Sequence, residues 1–303
     1  MALAGRKLAC VVAVAVAALG IPGCPLPPPP PTPSEIKDAL SYAVLQPETT
    51  CDELREDFDL YDLPIVENPG EVGIVYQEHA VAVPGGQILR VWYMPAQSSR
   101  GVVVVSPGNS GSMACYLFTA RLLTTDGWSV VLYDYEGFGG SSGVADLFRL
   151  HGDLYAVIDW TLAETGSPQV TLFGMSLGTI PTVAVAVERP DVVNGVVLDS
   201  PVSLDQEIER FAVLVRGQAA AIIAVLEPWL MTDQLIRAMG QPALVFIHSE
   251  DQVTPPSTVQ LMLGSVGAAV EVVEFEGLGH AAGQFLETER YNRHLVEFLE
   301  RVW

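Results

Sequence analysis

Gly174-Met175-Ser176-Leu177-Gly178 is a G-x-S-x-G pattern set between an apolar, β-rich run at 169–173 and an Ala/Val-rich run at 179–188. The first run reads as a buried strand and the second as a helix with one early proline, Pro181. A strand that turns sharply into a helix pushes the serine hydroxyl out at the strand's end. Gly174 and Gly178 are required there because a side chain at either position would clash with the turn. The helix N-terminus sets the backbone N–H of Leu177 where a negative oxygen can form. Ser176 is thus a candidate nucleophile for acyl transfer.

A serine is a weak nucleophile until a base, itself oriented by an acid, takes its proton. The chain has five histidines. His79 and His151 precede the elbow and suit strand and helix surfaces. His248 ends an apolar strand, and His294 lies on the closing helix. His280, in Glu276-Gly277-Leu278-Gly279-His280, falls in a loop after the last strand, from which its ring can reach across the strand ends. It is the candidate base. Asp251, in His248-Ser249-Glu250-Asp251, is the candidate acid, with neighbouring Glu250 and the strand-end Asp199 as alternatives. A second oxyanion donor is expected from the loop Ser106-Pro107-Gly108-Asn109-Ser110-Gly111, through the N–H of Asn109.

These residues need a scaffold that brings strand ends together. Runs at 77–83 and 88–94, split by Pro84-Gly85-Gly86, read as an antiparallel edge hairpin. Val102-Val103-Val104-Val105 reads as a strand buried on both faces. Further strands are expected at 128–134, 169–173, 194–198, 243–248 and 270–275. Helices are expected at 115–125, 147–163 and 179–188, with an amphipathic closing helix at 284–302. Strands alternate with helices from residue 101 onward. The fold class is therefore α/β, a mostly parallel central sheet covered by helices on both faces. Residues 204–240 break this rhythm with a long helical stretch holding Leu214, Ile222, Ile223, Leu226, Trp229 and Leu230, and read as a small helical lid.

The N-terminus reads as a targeting segment. Arg6 and Lys7 precede an apolar stretch at 8–21 of about 14 residues, short for a membrane span and right for a signal-peptide core. Ile21-Pro22-Gly23-Cys24 then resembles the lipobox of bacterial lipoproteins, which implies cleavage after residue 23 and lipidation of Cys24. A proline-rich tether follows at 24–33 and favours an extended spacer. Next come an acidic, irregular arm with one short helix at 34–74 and the main domain at 75–303. Both a lipoprotein and a plain secretory reading put the mature chain outside the cytoplasm, the first with a membrane contact through its anchor. There Cys51 and Cys115 either pair or remain separate thiols. The chain of 303 residues carries a formal charge of −21. Removing residues 1–23 takes away Arg6, Lys7 and no acid, which moves −21 to −23. Phosphate backbones would be repelled, so nucleic-acid binding is not expected. No cysteine–histidine spacing suggests a metal site, and no organic cofactor is implied.

Four stretches together resemble the α/β-hydrolase superfamily, and are similar to its depalmitoylase and serine aminopeptidase-like members. They are Ser106 to Gly111, the loop from Tyr133-Asp134-Tyr135-Glu136-Gly137-Phe138-Gly139 to Gly143, Gly174 to Gly178, and Glu250-Asp251 with Gly279-His280. Ser106 stands where those relatives have a histidine, and Glu136 where they have an arginine. The resemblance implies hydrolysis of an ester, thioester or amide through an acyl-serine, with Ser176, Asp251 and His280 in the family's order. The leading expectation is an esterase- or lipase-like serine hydrolase acting on a small-molecule or lipid-like acyl substrate. The alternatives are an amide or peptide hydrolase, and a non-catalytic lipoprotein that keeps the fold as a binding module.

Overall fold

A computed structural model describes residues 31–51, 66–210, 219–264 and 269–303. The expected signal peptide, Cys24 and most of the tether lie outside the described residues, as do 52–65 of the arm and Leu214 of the lid.

The apolar runs become an eight-stranded sheet: β1 (Gln77–Ala82), β2 (Ile88–Met94), β3 (Val102–Ser106), β4 (Ser129–Tyr133), β5 (Val170–Met175), β6 (Val193–Asp199), β7 (Ala243–His248) and β8 (Val270–Phe275). The order is β1-β2-β4-β3-β5-β6-β7-β8. β2 is antiparallel to both β1 and β4, and every pairing from β4 to β8 is parallel. All residues of β3, β4, β5 and β7 are buried, so these strands carry apolar side chains on both faces rather than an alternating pattern. Val104, Leu172 and Val196 pack on one face, and Val105, Phe173 and Val197 on the other.

The chain runs from β3 out to β4, then returns past β3 to β5. The order reverses between β3 and β5, and a crevice opens at their carboxyl ends where open parallel sheets hold ligands. The loops that leave these two strands carry Asn109 and Ser176.

Helices cover both faces. α1 (Pro33–Val44) lies in the arm, and α2 (Leu117–Thr125) and α3 (Leu150–Thr165) follow β3 and β4. α4 (Thr179–Glu188) is buried from Thr179 through Ala186, as its apolar composition requires. Pro181 fits because the first turn of a helix has no intrahelical acceptors for its N–H groups.

The short helix expected in the arm is α1, twelve residues started by a capping box of Thr32 and Glu35 and seated by Leu40 in the core. Two expectations change. The described residues of 204–240 do not form one long helical stretch, being interrupted at 224–231. They divide into α5 (Leu204–Arg210), α6 (Ala219–Ile223), a 3₁₀ turn at Pro228–Leu230 and α7 (Thr232–Ala238). Pro228 interrupts the pattern, and Leu230 and Ile236 bury in the core shared with α4. After α8 (Pro256–Leu263), the closing helix is broken into α9 (Gly283–Leu286) and α10 (Thr288–Val302) by a non-helical Glu287. Glu287 bonds Arg290 from that break, and Gln284 turns inward to Thr119.

Candidate active site

β5 ends at Met175, and the chain passes through a 3₁₀ turn, Ser176–Gly178, directly into α4. Ser176 takes φ 48°, a left-handed conformation that costs an L-residue about 1–2 kcal/mol and is held by its surroundings. A Cβ on Gly178 would lie 2.2 Å from the Ser106 carbonyl oxygen, and one on Gly174 2.7 Å from the Gly178 oxygen. Both elbow glycines are therefore fixed by backbone contact.

Ser176 Oγ is 2.8 Å from His280 Nε2, and His280 Nδ1 is 2.8 Å from Asp251 Oδ2. The ring therefore bridges the candidate nucleophile and the candidate acid. Asp251 is buried, and burial alone would raise its pKa. The bond to and charge of His280, together with Thr254, whose N–H and hydroxyl both donate to the carboxylate, jointly outweigh this and hold the group below its ordinary range. Val253 N–H donates to the same oxygen as Thr254 N–H, both at 2.8 Å. The alternative acids sit elsewhere. Glu250 is solvent-exposed, and Asp199 receives the Tyr291 hydroxyl at 2.7 Å from inside the core. His79, His151 and His294 bond Gln77, Glu188 and Glu271 at the periphery.

The loop after β3 crosses directly over the serine. A Cβ on Gly108 would lie 3.3 Å from Ser176 Cβ. The N–H of Asn109, on this loop, and that of Leu177, next to the serine, are the two expected oxyanion donors. Ser106 is buried against the Tyr133 hydroxyl at 3.0 Å, and Tyr135 donates to the Pro107 carbonyl at 3.0 Å. Glu136 lies 3.5 Å from Arg149.

Sequence reasoning missed how this loop is held. On one side the arm straps it. Asn109 Oδ1 accepts from Gln46 N–H at 2.8 Å, Asn109 Nδ2 donates to the Val44 carbonyl, and Gly111 N–H donates to Thr49 O at 2.7 Å. Cys51 and Cys115 are joined in a disulfide that ties the strap to the start of the following helical segment. On the other side Asp134, at the end of β4, accepts from Met113 N–H at 2.6 Å and from Gly140 N–H at 2.8 Å. Polar residues in irregular segments carry no periodicity, so the hydrogen bonds of the two grips have no sequence signature, whereas the pairing of Cys51 with Cys115 is one of the two readings of those cysteines.

Burial pushes Asp134 up to about 6, against the pull of those two N–H bonds. It also pushes Asp153, which accepts Glu136 N–H, up to about 7. Raised carboxyls favour folding fully below their unfolded pKa, and that contribution is lost as pH rises through the folded values. Asp153→Asn has no such loss. Its melting midpoint relative to the wild type should rise as pH increases from about 5 to 8, and a constant difference in calorimetry would rule out this titration.

Among the described residues no group of three or more His, Cys, Asp or Glu side chains is disposed to hold a metal ion.

The sheet topology and elbow define an α/β-hydrolase fold. Residues 97–238 match the serine aminopeptidase S33 family model. An uncharacterized protein of Mycobacterium tuberculosis is 28% identical over 221 residues, which cover 68% of this chain and 73% of that one. The lysophosphatidylserine lipase of Macaca fascicularis is 27% identical over 234 residues, 69% of this chain but only 58% of the relative. An esterase of Pyrococcus furiosus superposes with a TM-score of 0.66 at 18% identity, covering 80% of this chain and 98% of the esterase. An esterase of Exiguobacterium antarcticum superposes with a TM-score of 0.58 at 16% identity, over 74% and 100%. The chain has the α/β-hydrolase fold and is similar to these hydrolases in sequence.

Proposed function

We propose that the protein is a serine hydrolase that cleaves carboxylic esters of lipid-like or other small acyl substrates. The observation that carries this reading is the continuous line from Ser176 Oγ through His280 to Asp251. Ser176 Oγ attacks the carbonyl carbon as its proton passes to His280 Nε2. Asn109 and Leu177 N–H groups receive the oxyanion. The C–O bond to the leaving alcohol breaks, and His280 returns the proton to that alcohol. Water, deprotonated by His280, then attacks the acyl carbon, the bond to Ser176 Oγ breaks, and His280 returns the proton to that oxygen as the acid leaves. Asp251 stays ionised throughout and stabilises the imidazolium.

The similarity to a lysophosphatidylserine lipase supports a lipid-like ester, and the likeness to solved esterases supports ester cleavage. The Leu8-to-Ile21 run, Cys24 and the Cys51–Cys115 disulfide support an extracytoplasmic protein anchored by lipid at Cys24. The test is hydrolysis of p-nitrophenyl esters from acetate to palmitate by the full chain. Ser176-dependent turnover is expected, and its absence on every ester with the protein folded would refute the ester reading. The aminopeptidase description of the matched family favours amides as the second reading, for which aminoacyl-p-nitroanilides are the matching substrates.

Asn109→Ala keeps the backbone N–H but cuts the tie to Val44 and Gln46. It should lower kcat about tenfold, because the oxyanion donor is then held loosely. An unchanged kcat on the best ester would show that the loop is set without the strap.

A further inference from the structure

Three non-glycine residues have positive φ among the described residues: Ser176 at 48°, Ser200 at 51° and Ala281 at 52°. The first is the elbow. The other two are bonded to each other, since Ala281 N–H donates to Ser200 Oγ at 3.0 Å, and Ala281 directly follows His280. Backbone strain of this kind persists only where surrounding structure enforces it, and it concentrates at functional sites.

The surroundings of Ser200 are fully buried and their hydrogen bonds can be assigned. Gly283 N–H donates to His248 Nε2 at 3.0 Å, so that nitrogen carries a lone pair and the ring proton sits on Nδ1. Burial lowers the His248 pKa, with Asp199 and Asp251 opposing, which fits a neutral ring. Nδ1–H then donates to Ser200 Oγ at 3.1 Å. The Ser200 hydroxyl proton goes to Asp199 Oδ1 at 3.3 Å, and Asp199 Oδ2 accepts from Tyr291. Every donor in this chain has an acceptor. The His248 ring also stacks on Phe275, and a Cβ on Gly283 would lie 2.9 Å from both rings, which restricts that position to glycine.

Two backbone N–H groups of the segment that carries His280, at Ala281 and Gly283, thus end on side chains anchored in β6, β7 and the turn after β6. We propose that Ser200 and His248, backed by Asp199, form a buried clamp that positions the His280 ring between Ser176 and Asp251. They are positioning residues. The inference rests on the reading of His280 as the general base. The clamp resembles a second serine–histidine–aspartate set, but its hydroxyl is buried and saturated with hydrogen bonds, so it holds rather than attacks.

Ser200→Gly tests it, because glycine accepts φ 51° without strain and only the hydroxyl is lost. His248→Phe keeps the stack on Phe275 and removes the acceptor of Gly283 N–H. Each should lower kcat about tenfold and leave KM within about twofold, since the base is misplaced while substrate contacts remain. Amide hydrogen exchange at Ala281 and Gly283 should quicken. His248→Gln, which offers Oε1 to Gly283 N–H, should recover most of the lost kcat. Faster exchange with unchanged kcat, or kcat, KM and the melting midpoint falling together, would overturn the proposal. If the wild type shows no Ser176-dependent hydrolysis, the reading of the function fails by itself. Exchange at the two amides then decides the clamp, and unchanged protection in Ser200→Gly overturns it.

Discussion

Ser176→Ala is expected to lower kcat for the best ester substrate by about four to six orders of magnitude, because among the described residues no other hydroxyl bonds His280 Nε2. The folded protein should survive the change, since the hydroxyl is half-buried and makes one bond at the site. A second substitution separates strain from chemistry. Ser176→Gly removes the same hydroxyl but relieves the left-handed backbone at φ 48°, so it should be equally inactive and more stable than Ser176→Ala by about 1 kcal/mol. Stopped assays on both variants with thermal melts check the pair. Residual turnover above one per cent or so of the wild-type rate would place the nucleophile elsewhere.

Asp251→Asn should lower kcat by about four orders of magnitude through the tautomer of His280. The direction follows from the donors around the carboxyl. Val253 and Thr254 N–H groups both point at Oδ1, so an asparagine must keep its carbonyl oxygen there. Its NH₂ then faces His280 Nδ1, which must become an acceptor. The ring proton moves to Nε2, and the Ser176 hydroxyl loses its base. Asp199→Asn cannot act this way, because Asp199 faces Tyr291 and Ser200, so its effect should be far smaller. The reverse ranking in steady-state kinetics would name Asp199 as the acid. Stability adds an independent check. Asp251 is held below its ordinary pKa of 3.8, so its contribution is present above that value and is lost as pH falls through the folded pKa. The stability gap between wild type and Asp251→Asn should therefore be full at neutral pH and close under strongly acid conditions.

The legible parts of this molecule were those where one residue's environment is dictated locally. Four consecutive valines have no reading except a strand covered on both faces, and β3 is that strand. Gly174 is enforced by contacts within the elbow and the helix that follows it, and Gly178 by the backbone of Ser106 and Pro107 at the end of the neighbouring strand, so the motif marks a turn packed against that strand. The order of Ser176, Asp251 and His280 follows from which loops leave the same edge of a parallel sheet, and the structure brings these three side chains into line.

What the sequence concealed depends on long-range pairing. Asp199 has the form of a strand-end acid, yet its partners Tyr291 and Ser200 draw it into the core, and nothing local distinguishes it from Asp251. His248 reads as the end of an apolar strand because its polar partners come from residues 35 and 48 positions away. The arm reads as acidic and irregular because its purpose depends on Asn109, 63 residues from Gln46. The division of the closing helix at Glu287 is invisible to a pattern that stays amphipathic on both sides of the break.

The central claim is that Ser176 is a nucleophile activated by His280. Its most direct test is reaction of the folded full chain with a fluorophosphonate, followed by intact-mass and peptide mass spectrometry, with Ser176→Ala alongside. The account predicts a single phosphonyl adduct on the peptide bearing Ser176 and none on the variant. A folded wild type that gains no adduct, or a variant that gains the same one, would contradict it.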